Sequence, residues 1–358
     1  MTPEQIFERY GVKSEARPYG DGHINSTFVD DNYDYILQKI NTSIFPDTDR
    51  LMENIRAVTD FVRGKVEKAG GDPDRETLTV VPTLDGKPYF TAEDGSVWRA
   101  YIFIKDSYSV TLSKNTRELY EAGKAFGRFQ CMLSDFPAQG LYESIKNFHN
   151  TPWRIENLKK AIADDVAGRA KDVREEIEFA LSREKDAAVV TDAVEEGTVR
   201  LRVTHNDTKL NNVLFDKATG KGLCVIDLDT VMPGSMLYDF GDTLRSGATT
   251  AAEDETNLEL VKFDLEAFES FAKGFLSETL DVLTEKEIEL LPFSAKLMTY
   301  ECGCRFLTDY LNGDTYFKIH REGHNLDRAR SQFALVRDIE LKLDDMKKII
   351  DEIIARRV

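Results

Sequence analysis

A polar segment between two short apolar runs carries the side chains of this sequence that are best suited to chemistry. It reads VTHNDTKLNNVLFDKATGKGLCVIDLD from residue 203, and it contains His205, Asp207, Asn212 and Asp227. Phosphoryl transfer from ATP requires a carboxylate that orients the attacking hydroxyl. It also requires an amide oxygen and a second carboxylate that hold Mg²⁺ against the phosphates. Asp207, Asn212 and Asp227 supply that set.

Two strands must position these side chains. Residues 200–204 and 223–226 are short β-like runs, and the turn around Gly220-Lys-Gly222 predicts a hairpin that brings Asn212 and Asp227 together. A structural interpretation stays open, in which the loop is an Asx turn and Asp227 ends a strand. The occurrence of both motifs on the expected elements favours catalysis. The sequence has no Gly-x4-Gly-Lys-Ser/Thr motif, so P-loop chemistry is excluded.

The first hundred residues predict a small antiparallel sheet with one helix. Residues 27–29 and 33–40 flank a polar turn and predict a hairpin, and residues 78–81 and 97–104 are further apolar runs. Residues 48–66 carry apolar side chains at helical spacing. This N-terminal part is therefore a strand-rich unit.

Long helices dominate from residue 115 onward. Apolar stripes over 119–133 and 333–353 predict amphipathic helices, and residues 155–181 predict one highly charged helical region. The fold class is therefore α+β. We expect a bilobal chain with an antiparallel-sheet N-lobe, residues 1–106, and a larger, mainly helical C-lobe, residues 107–358.

Composition excludes several classes of protein. With 358 residues, 41% of them apolar, the chain is globular and too long for one small core. A net charge of −17 is the wrong sign for nucleic-acid binding. No apolar stretch approaches the roughly 18 residues of a membrane span. The N-terminus shows no signal-peptide pattern, and the four cysteines are interpreted as reduced core residues, so we expect a cytoplasmic protein.

The segment from His205 to Asn212, followed by VIDLDTVMPGSMLYDFGD, resembles the aminoglycoside phosphotransferase/choline kinase group of small-molecule kinases. The likeness is closest to the bacterial N-acetylhexosamine 1-kinases, and it extends through YGDGHINSTF, YILQKINTSIFPD and ECGCRFLTDYLNGDTYF. The resemblance implies a bilobal, protein-kinase-like fold. It also implies phosphorylation of the anomeric hydroxyl of N-acetylglucosamine or N-acetylgalactosamine, with ATP and Mg²⁺. It makes Asp207 the catalytic base or orienter, Asn212 and Asp227 the Mg²⁺ ligands, and His205 a structural brace.

The loop before residue 26 is where such kinases cover the ATP phosphates. The resemblance therefore assigns Gly20, Gly22 and Asn25 to nucleotide binding. Without the C-lobe motif, the two glycines predict only a hairpin turn. His23 either donates a hydrogen bond to a sugar hydroxyl or caps the turn.

The strand that usually carries the phosphate-binding lysine holds Gln38 instead, with Lys39 on the opposite face. Two interpretations follow: a local bulge recruits Lys39, or Mg²⁺ and other cations compensate. Glu53, on the following helix, is a candidate partner only by position.

The acceptor is expected above Asp207, beside Asp229 and Thr230. The resemblance adds Arg305 and Tyr316 as sugar contacts. The alternatives are an ion pair of Arg305 with Asp309, four residues later, and ordinary core packing for Tyr316.

Asp239, in Asp-Phe-Gly, has the letters of the protein-kinase metal motif, but we interpret it as a helix N-cap or a brace for the catalytic loop. Two other functions stay open. One is a kinase of the same fold for another alcohol, such as an aminoglycoside, choline, homoserine or methylthioribose. The other is a non-catalytic nucleotide-binding regulator, which Gln38 motivates. The sequence does not indicate the oligomeric state.

Overall fold

The computed structural model describes residues 1–20, 24–111, 113 and 115–356, so the predictions for Gly22 and His23 lie outside the described residues. The helices are α1 (Pro3–Phe7), α2 (Thr48–Lys68), α3 (Pro73–Glu76), α4 (Thr116–Met132), α5 (Thr151–Asp164), α6 (Arg174–Leu181), α7 (Val189–Glu195), α8 (Met236–Gly247), α9 (Leu265–Thr279), α10 (Glu285–Leu311) and α11 (His324–Ala355). The strands are β1 (Ala16–Pro18), β2 (Ser26–Asp30), β3 (Tyr35–Ile40), β4 (Val80–Val81), β5 (Phe90–Thr91), β6 (Val97–Ile102), β7 (Ser107–Tyr108), β8 (Arg202–Thr204), β9 (Val213–Asp216), β10 (Gly222–Val225) and β11 (Met232–Gly234).

An antiparallel sheet forms the N-lobe, in the order β1-β2-β3-β6-β4, with β5 also paired to β6. The predicted hairpin joins β2 to β3. Its turn is fixed by the Asp30 carboxylate, which accepts hydrogen bonds from the backbone N–H groups of Asn32, Asp34 and Tyr35. A carboxylate that accepts hydrogen bonds from the backbone N–H groups of its own turn is typical of tight connections.

Helix α2 connects the sheet to the rest of the molecule. It begins after Asp47, whose carboxylate accepts the Arg50 N–H at 3.1 Å. The apolar residues that predicted this helix are buried in the largest core, which also includes side chains of α4, α8 and α9. This core is continuous from the N-lobe helix into the C-lobe, so burial of apolar surface holds the two lobes together.

The polar segment that follows β8 forms the predicted hairpin. Strand β9 pairs with β10, and the Ile226 N–H donates to the Asn212 carbonyl at 2.9 Å, so Asn212 lies next to the residue before Asp227. Strand β7 pairs with the other edge of β9. The lobe boundary at residues 106/107 stays a prediction.

The C-lobe consists mainly of helices, and α4 and α9 pack very closely. A Cβ atom at Gly274 would lie 1.9 Å from the Tyr120 carbonyl oxygen, and one at Gly123 would lie 2.3 Å from the Phe271 carbonyl oxygen. These contacts explain why glycines occur inside helices that they otherwise destabilise.

The expected single helical region over 155–181 is wrong, because the chain turns between α5 and α6. Asp165 has a left-handed φ of 36°, and its carbonyl accepts the Gly168 N–H at 2.8 Å, which ends α5. The last helix begins at His324, before the apolar stripe that predicted it. It follows Gly323, which has a left-handed φ of 72°, and its first turn lies outside the stripe.

The α+β class, with an antiparallel-sheet N-lobe and a helical C-lobe, is confirmed. Among the described residues no helix has the length and apolar character needed to cross a bilayer. The four cysteines, all described, form no disulfide.

Candidate active site

The loop that follows β8 presents Asp207, and Asp239 braces this loop from α8. The two carboxylate oxygens of Asp239 accept the backbone N–H groups of His205, at 2.9 Å, and Asn206, at 2.7 Å. The N-cap of α8 is Ser235, so the N-cap interpretation of Asp239 is wrong and the brace interpretation is confirmed.

Asn206 adopts a left-handed φ of 64°, a conformation that non-glycine residues rarely adopt. Its side-chain Nδ2 donates to the Thr230 carbonyl at 2.9 Å, and its own carbonyl lies 2.9 Å from His149 Nε2. Thr230 Oγ1 in turn donates to the His205 carbonyl at 2.7 Å. The loop immediately before Asp207 is therefore held on every side.

His205 is a buried structural residue, as predicted. Its Nε2 lies 2.8 Å from the Ile226 carbonyl, and its Nδ1 accepts the Asp207 N–H at 3.2 Å. The ring therefore connects the loop that carries Asp207 to the strand end that carries Asp227.

Asp207 is partly exposed, and Lys209 Nζ lies 2.9 Å from its Oδ1. Burial alone would raise the pKa of Asp207, but the charge and hydrogen bond of Lys209 lower it below its usual value. The carboxylate is ionised at neutral pH, so it accepts a hydrogen bond from an alcohol rather than donating one.

Asn212 and Asp227 offer oxygen atoms suited to a hard cation. Asn212 Nδ2 donates to the Asp207 carbonyl at 2.8 Å, which leaves its Oδ1 for a ligand. The Asp227 carboxylate is solvent-accessible and accepts no hydrogen bond from the described residues. Desolvation in the candidate site, with the charges of Asp229 and Asp207, raises the pKa of Asp227 to about 6.

These two residues fit Mg²⁺ bound together with a nucleotide. Mg²⁺ is usually held by one or two carboxylates, substrate phosphates and water rather than by a complete protein cage. Within the described ranges, no three His, Cys, Asp or Glu side chains are grouped so as to hold a metal ion alone. The assignment of Asn212 and Asp227 as ligands stays a prediction.

Beside Gln38, in the part of the candidate site predicted to bind the nucleotide and here called its nucleotide end, lies a buried arginine, Arg99, that the sequence interpretation missed. The register between β3 and β6 is unbroken, so Gln38 pairs with Arg99 and Lys39 pairs with Trp98. Lys39 is exposed, with Nζ 5.8 Å from the centre of the Trp98 ring on the far face of the sheet. The bulge that would recruit Lys39 is therefore absent, and that interpretation is wrong.

Asn25 and Gly20 flank the part of the loop that is not described. Asn25 Nδ2 donates to Asp229 Oδ2 at 2.7 Å, and its Oδ1 accepts the Asn41 N–H at 3.0 Å. Gly20 is exposed with a left-handed φ of 71°, as in a turn. Glu53 faces solvent, and its Oε2 lies 3.2 Å from Arg50 Nε. The prediction that Glu53 is the partner of a phosphate-binding cation is therefore wrong.

Asp229 and Thr230 are buried, with side chains that already have protein partners. The Asp229 carboxylate accepts hydrogen bonds from Arg99 and Asn25. The Thr230 hydroxyl donates to the catalytic loop. These contacts position the two lobes and the loop, and a direct contact of either residue with the acceptor stays a prediction.

The residues predicted to contact the acceptor lie among arginines and aromatic rings, and we call this group, Phe148, Arg154, Arg305, Tyr316 and Phe317, the acceptor end of the candidate site. The Arg305 guanidinium lies 5.2 Å from the centre of the Phe148 ring and 5.5 Å from that of Phe317. Tyr316, 57% exposed, contacts Phe317 edge to face. The structure therefore brings Arg305 and Tyr316 together, and the core-packing alternative for Tyr316 is wrong.

The alternative ion pair of Arg305 is also wrong. The Asp309 carboxylate instead accepts the backbone N–H groups of Thr315, Tyr316 and Phe317, and so holds the loop after α10. In the described part of the chain, no carboxylate forms an ion pair with Arg305.

Arg154, on α5, shares the Phe148 ring with Arg305, at 6.0 Å from its centre. Its Nη2 donates to the Phe148 carbonyl at 2.8 Å, and it has no carboxylate partner among the described residues. Burial and the charge of Arg305 lower the pKa of Arg154 to about 10. It stays protonated at neutral pH, so two cations flank one aromatic ring.

His149 and Glu301 connect the acceptor end to the catalytic loop. His149 Nδ1 lies 2.8 Å from Glu301 Oε1, and Thr151 donates to Glu301 Oε2 at 2.6 Å. Because His149 Nε2 faces the Asn206 carbonyl, both ring nitrogens face acceptors, as in an imidazolium. Burial lowers the pKa of His149, but the Glu301 charge outweighs it and raises the pKa above the usual value.

The site residues that the sequence interpretation missed are Arg99, His149, Arg154, Lys209 and Glu301. Two had a detectable pattern: Lys209 follows Asp207 by two positions, and Arg99 interrupts an apolar strand, where a charge requires a buried partner. The other three belong to no recognisable motif, and His149 lies 152 positions before Glu301.

Residues 15–273 match the model of the phosphotransferase enzyme family, and the chain belongs to this family. An aminoglycoside phosphotransferase from Alicyclobacillus acidocaldarius has a similar fold, with a TM-score of 0.65 at 12% identity over 98% of this chain and 97% of that one. A microcompartment-associated aminopropanol kinase has a TM-score of 0.59 at 16% identity, over 96% and 97%. Spectinomycin phosphotransferase, in complex with ADP and spectinomycin, has a TM-score of 0.61 at 13% identity, over 95% and 97%.

Proposed function

We propose that this member of the phosphotransferase enzyme family uses Mg²⁺ and ATP to phosphorylate the anomeric hydroxyl of an N-acetylhexosamine. The family establishes a small-molecule kinase. The observation that carries the acceptor assignment is the pair Arg154 and Arg305, which flank Phe148 without a carboxylate partner in the described residues.

The charge balance at the acceptor end favours an acceptor without an amine. The charge of Glu301 is offset by His149, at 2.8 Å, and that of Arg245 is offset by Asp242, at 3.0 Å. Arg154 and Arg305 form no ion pair with the described residues, and the charge of Glu301 offsets theirs only in part, so the two guanidinium groups disfavour a cationic ligand. Aminopropanol and the aminoglycosides, named for the structural relatives, carry amino groups, so this chain selects differently.

A neutral acetamido sugar suits the same groups. Its carbonyl and hydroxyl oxygens accept hydrogen bonds from a guanidinium, which presents several donors in one plane. The rings of Phe148, Phe317 and Tyr316 offer apolar faces for the sugar ring. Arginine donors and aromatic faces thus support recognition of both the acetamido group and the ring.

Asp207 orients the attacking hydroxyl in the proposed reaction. Because Lys209 holds the pKa of Asp207 low, the carboxylate accepts the hydroxyl hydrogen bond first and takes the proton late, as the phosphoryl group is transferred. Asn212 and Asp227 would hold Mg²⁺, which neutralises charge on the phosphates when bound. Asp207, Asn212 and Asp227 each keep an oxygen atom that is available to a ligand, and this also argues against a non-catalytic regulator.

The same two arginines favour a second candidate, an anionic alcohol such as a sugar acid. A carboxylate can accept paired hydrogen bonds from a guanidinium, and these are stronger than those to a neutral carbonyl. The acceptor panel therefore has to include anionic sugars.

A kinetic comparison of acceptors tests the proposal. N-acetylglucosamine, N-acetylgalactosamine, glucose, galactose, glucuronate, choline and an aminoglycoside are assayed for kcat/KM with ATP and Mg²⁺. We expect the acetamido sugars to exceed the plain hexoses by between a few-fold and about a hundredfold, the value of one to two hydrogen bonds. Higher kcat/KM for glucuronate would select the second candidate, and higher kcat/KM for choline or the aminoglycoside would contradict both.

A further inference from the structure

Arg99 is a buried cation at the nucleotide end of the candidate site. It is 1% exposed, and its Nη1 and Nη2 donate to the two oxygens of Asp229, the second at 3.0 Å. Its Nε and Nη2 also donate to Gln38 Oε1, at 3.0 and 2.9 Å. Burial of a guanidinium is expensive unless its donors are satisfied, so four hydrogen bonds fix this side chain in one orientation.

Gln38 is oriented to hold Arg99 and not to bind a phosphate itself. Its Nε2 donates to Thr27 Oγ1 at 3.1 Å, which turns Oε1 toward the guanidinium. The two residues are direct partners across β3 and β6, so they project from the same face of the sheet. The Gln38 amide therefore positions the Arg99 guanidinium.

Asp229 places this guanidinium beside the candidate metal site. It lies two residues after Asp227, and it also accepts a hydrogen bond from Asn25, at 2.7 Å, in the loop before β2. The network therefore joins three N-lobe elements to the segment that carries Asp227. The charge of Arg99 reaches Asp227, where it opposes the effect of the neighbouring carboxylates.

We propose that Arg99 supplies the positive charge that a lysine on β3 provides in related kinases, with Gln38 and Asp229 holding it in position for the ATP phosphates. In protein kinases that lysine is likewise held by a carboxylate. Without Arg99, the carboxylates of Asp207, Asp227 and Asp229 would repel the phosphates. This inference rests on the family's use of a nucleotide and not on the identity of the acceptor.

Nucleotide binding without acceptor tests the proposal separately from the proposed function. Affinities of the full-length protein for ATP, ADP and adenosine are measured by calorimetry in Mg²⁺. We expect Arg99→Met to weaken ATP binding by about ten- to a hundredfold, the value of interactions with a charged group. ADP binding should weaken less and adenosine binding should change less than twofold, because adenosine has no phosphate.

Three further variants distinguish charge from folding. Arg99→Met/Asp229→Asn removes the ion pair without leaving an unpaired buried carboxylate. It should keep part of the ATP-specific loss, because the guanidinium is gone while the repulsion of the phosphates by Asp229 is removed as well. Arg99→Lys restores a cation and should recover part of the ATP affinity. Lys105→Met removes an exposed cation of the same region, paired with Asp34 at 2.6 Å, and should behave as the wild type.

Lys39→Met tests the competing cation directly. The proposal is overturned if Lys39→Met, and not Arg99→Met, reduces the preference for ATP over adenosine. It is also overturned if the double variant binds ATP as tightly as the wild type, or if Arg99→Met weakens adenosine and ATP binding equally.

Discussion

The two ends of the candidate site differ in how their charges are arranged. At the nucleotide end, Asp229 and Gln38 hold one buried guanidinium and Lys209 is paired with Asp207, so most donors and acceptors there are satisfied within the protein. At the acceptor end, Arg154 and Arg305 lie against aromatic rings without carboxylate partners in the described residues. The first end is fixed for one chemistry. The second is open to the group that distinguishes one acceptor from another.

This difference follows from how each end is assembled. The nucleotide end takes most of its residues from one hairpin and the loop before it, where backbone hydrogen bonds determine their positions. The acceptor end combines residues of α5, α10 and the loop after α10, which meet only in the folded chain. Changes at the acceptor end should therefore alter selectivity while the phosphoryl-transfer machinery stays intact.

The largest effect is expected at Asp207. Asp207→Asn keeps the hydrogen bonds around the loop but removes the carboxylate, so kcat should fall by about 10²–10⁴-fold. Nucleotide affinity should change little. Steady-state kinetics with N-acetylglucosamine and calorimetry with ADP check both statements, and near-normal kcat would exclude Asp207 as the base.

Asp227→Asn should act through the metal ion. Loss of an anionic ligand should lower kcat/KM by at least about a hundredfold at low Mg²⁺, and excess Mg²⁺ should restore part of it. Because the pKa of Asp227 is raised to about 6, protons compete with the cation, and wild-type Mg²⁺ affinity should fall as pH falls through 6. Titrations of activity with Mg²⁺ between pH 5 and 8, values chosen to bracket that pKa, measure both effects.

Asp239→Asn is the matched comparison for Asp227→Asn. Both Asp239 oxygens accept backbone N–H groups, so an amide nitrogen there would face a donor and cost about 1–3 kcal/mol of unfolding free energy. Mg²⁺ should not rescue its activity. The reverse pattern of rescue would assign the metal site to Asp239.

Arg305→Ala should affect the choice of acceptor more than the chemistry. The advantage of N-acetylhexosamine over plain hexose in kcat/KM should shrink by a few-fold to tenfold, the value of about one hydrogen bond. The KM for ATP should stay unchanged. Arg330→Ala is the control. Arg330, on α11, has its Nε 2.6 Å from Glu176 Oε1 on α6, and its loss should leave the acceptor preference intact.

The smallest effect is expected at the connection between the two ends, and it depends on pH. The folded-state pKa of His149 is raised above its usual value near 6.5, so its stabilising charge is present below that pH and is lost as pH rises through the folded-state pKa. We expect kcat to decline as the pH rises through the raised pKa of His149, because the contact with the Asn206 carbonyl weakens.

His149→Gln provides the test of that decline. The amide can donate to the Asn206 carbonyl but carries no charge, so kcat at pH 6 should fall between about two- and tenfold. The decline of kcat with rising pH should become flatter in the variant. A pH profile of kcat identical to that of the wild type would show that the His149 charge does not connect the acceptor end to the loop that carries Asp207.

The sequence was informative where chemistry and backbone are local. The turn around Gly220-Lys-Gly222 predicted a hairpin that brings Asn212 and Asp227 together, and the structure contains it, because adjacent strands joined by a turn leave little freedom. The sequence did not reveal that Gln38 serves Arg99, since cross-strand pairing depends on a register that no single strand encodes. His149 and Glu301 are 152 positions apart, so only the packing of α10 brings them together.

The position of the phosphate on the product tests the central claim most directly. After reaction with ATP and N-acetylglucosamine, phosphorus NMR distinguishes a sugar 1-phosphate, in which phosphorus couples to the anomeric proton, from a 6-phosphate, in which it does not. We predict the 1-phosphate. A 6-phosphate, or no sugar product where choline or an aminoglycoside is phosphorylated, would contradict the hexosamine 1-kinase assignment and leave the proposed roles of Asp207, Asn212 and Asp227 in place.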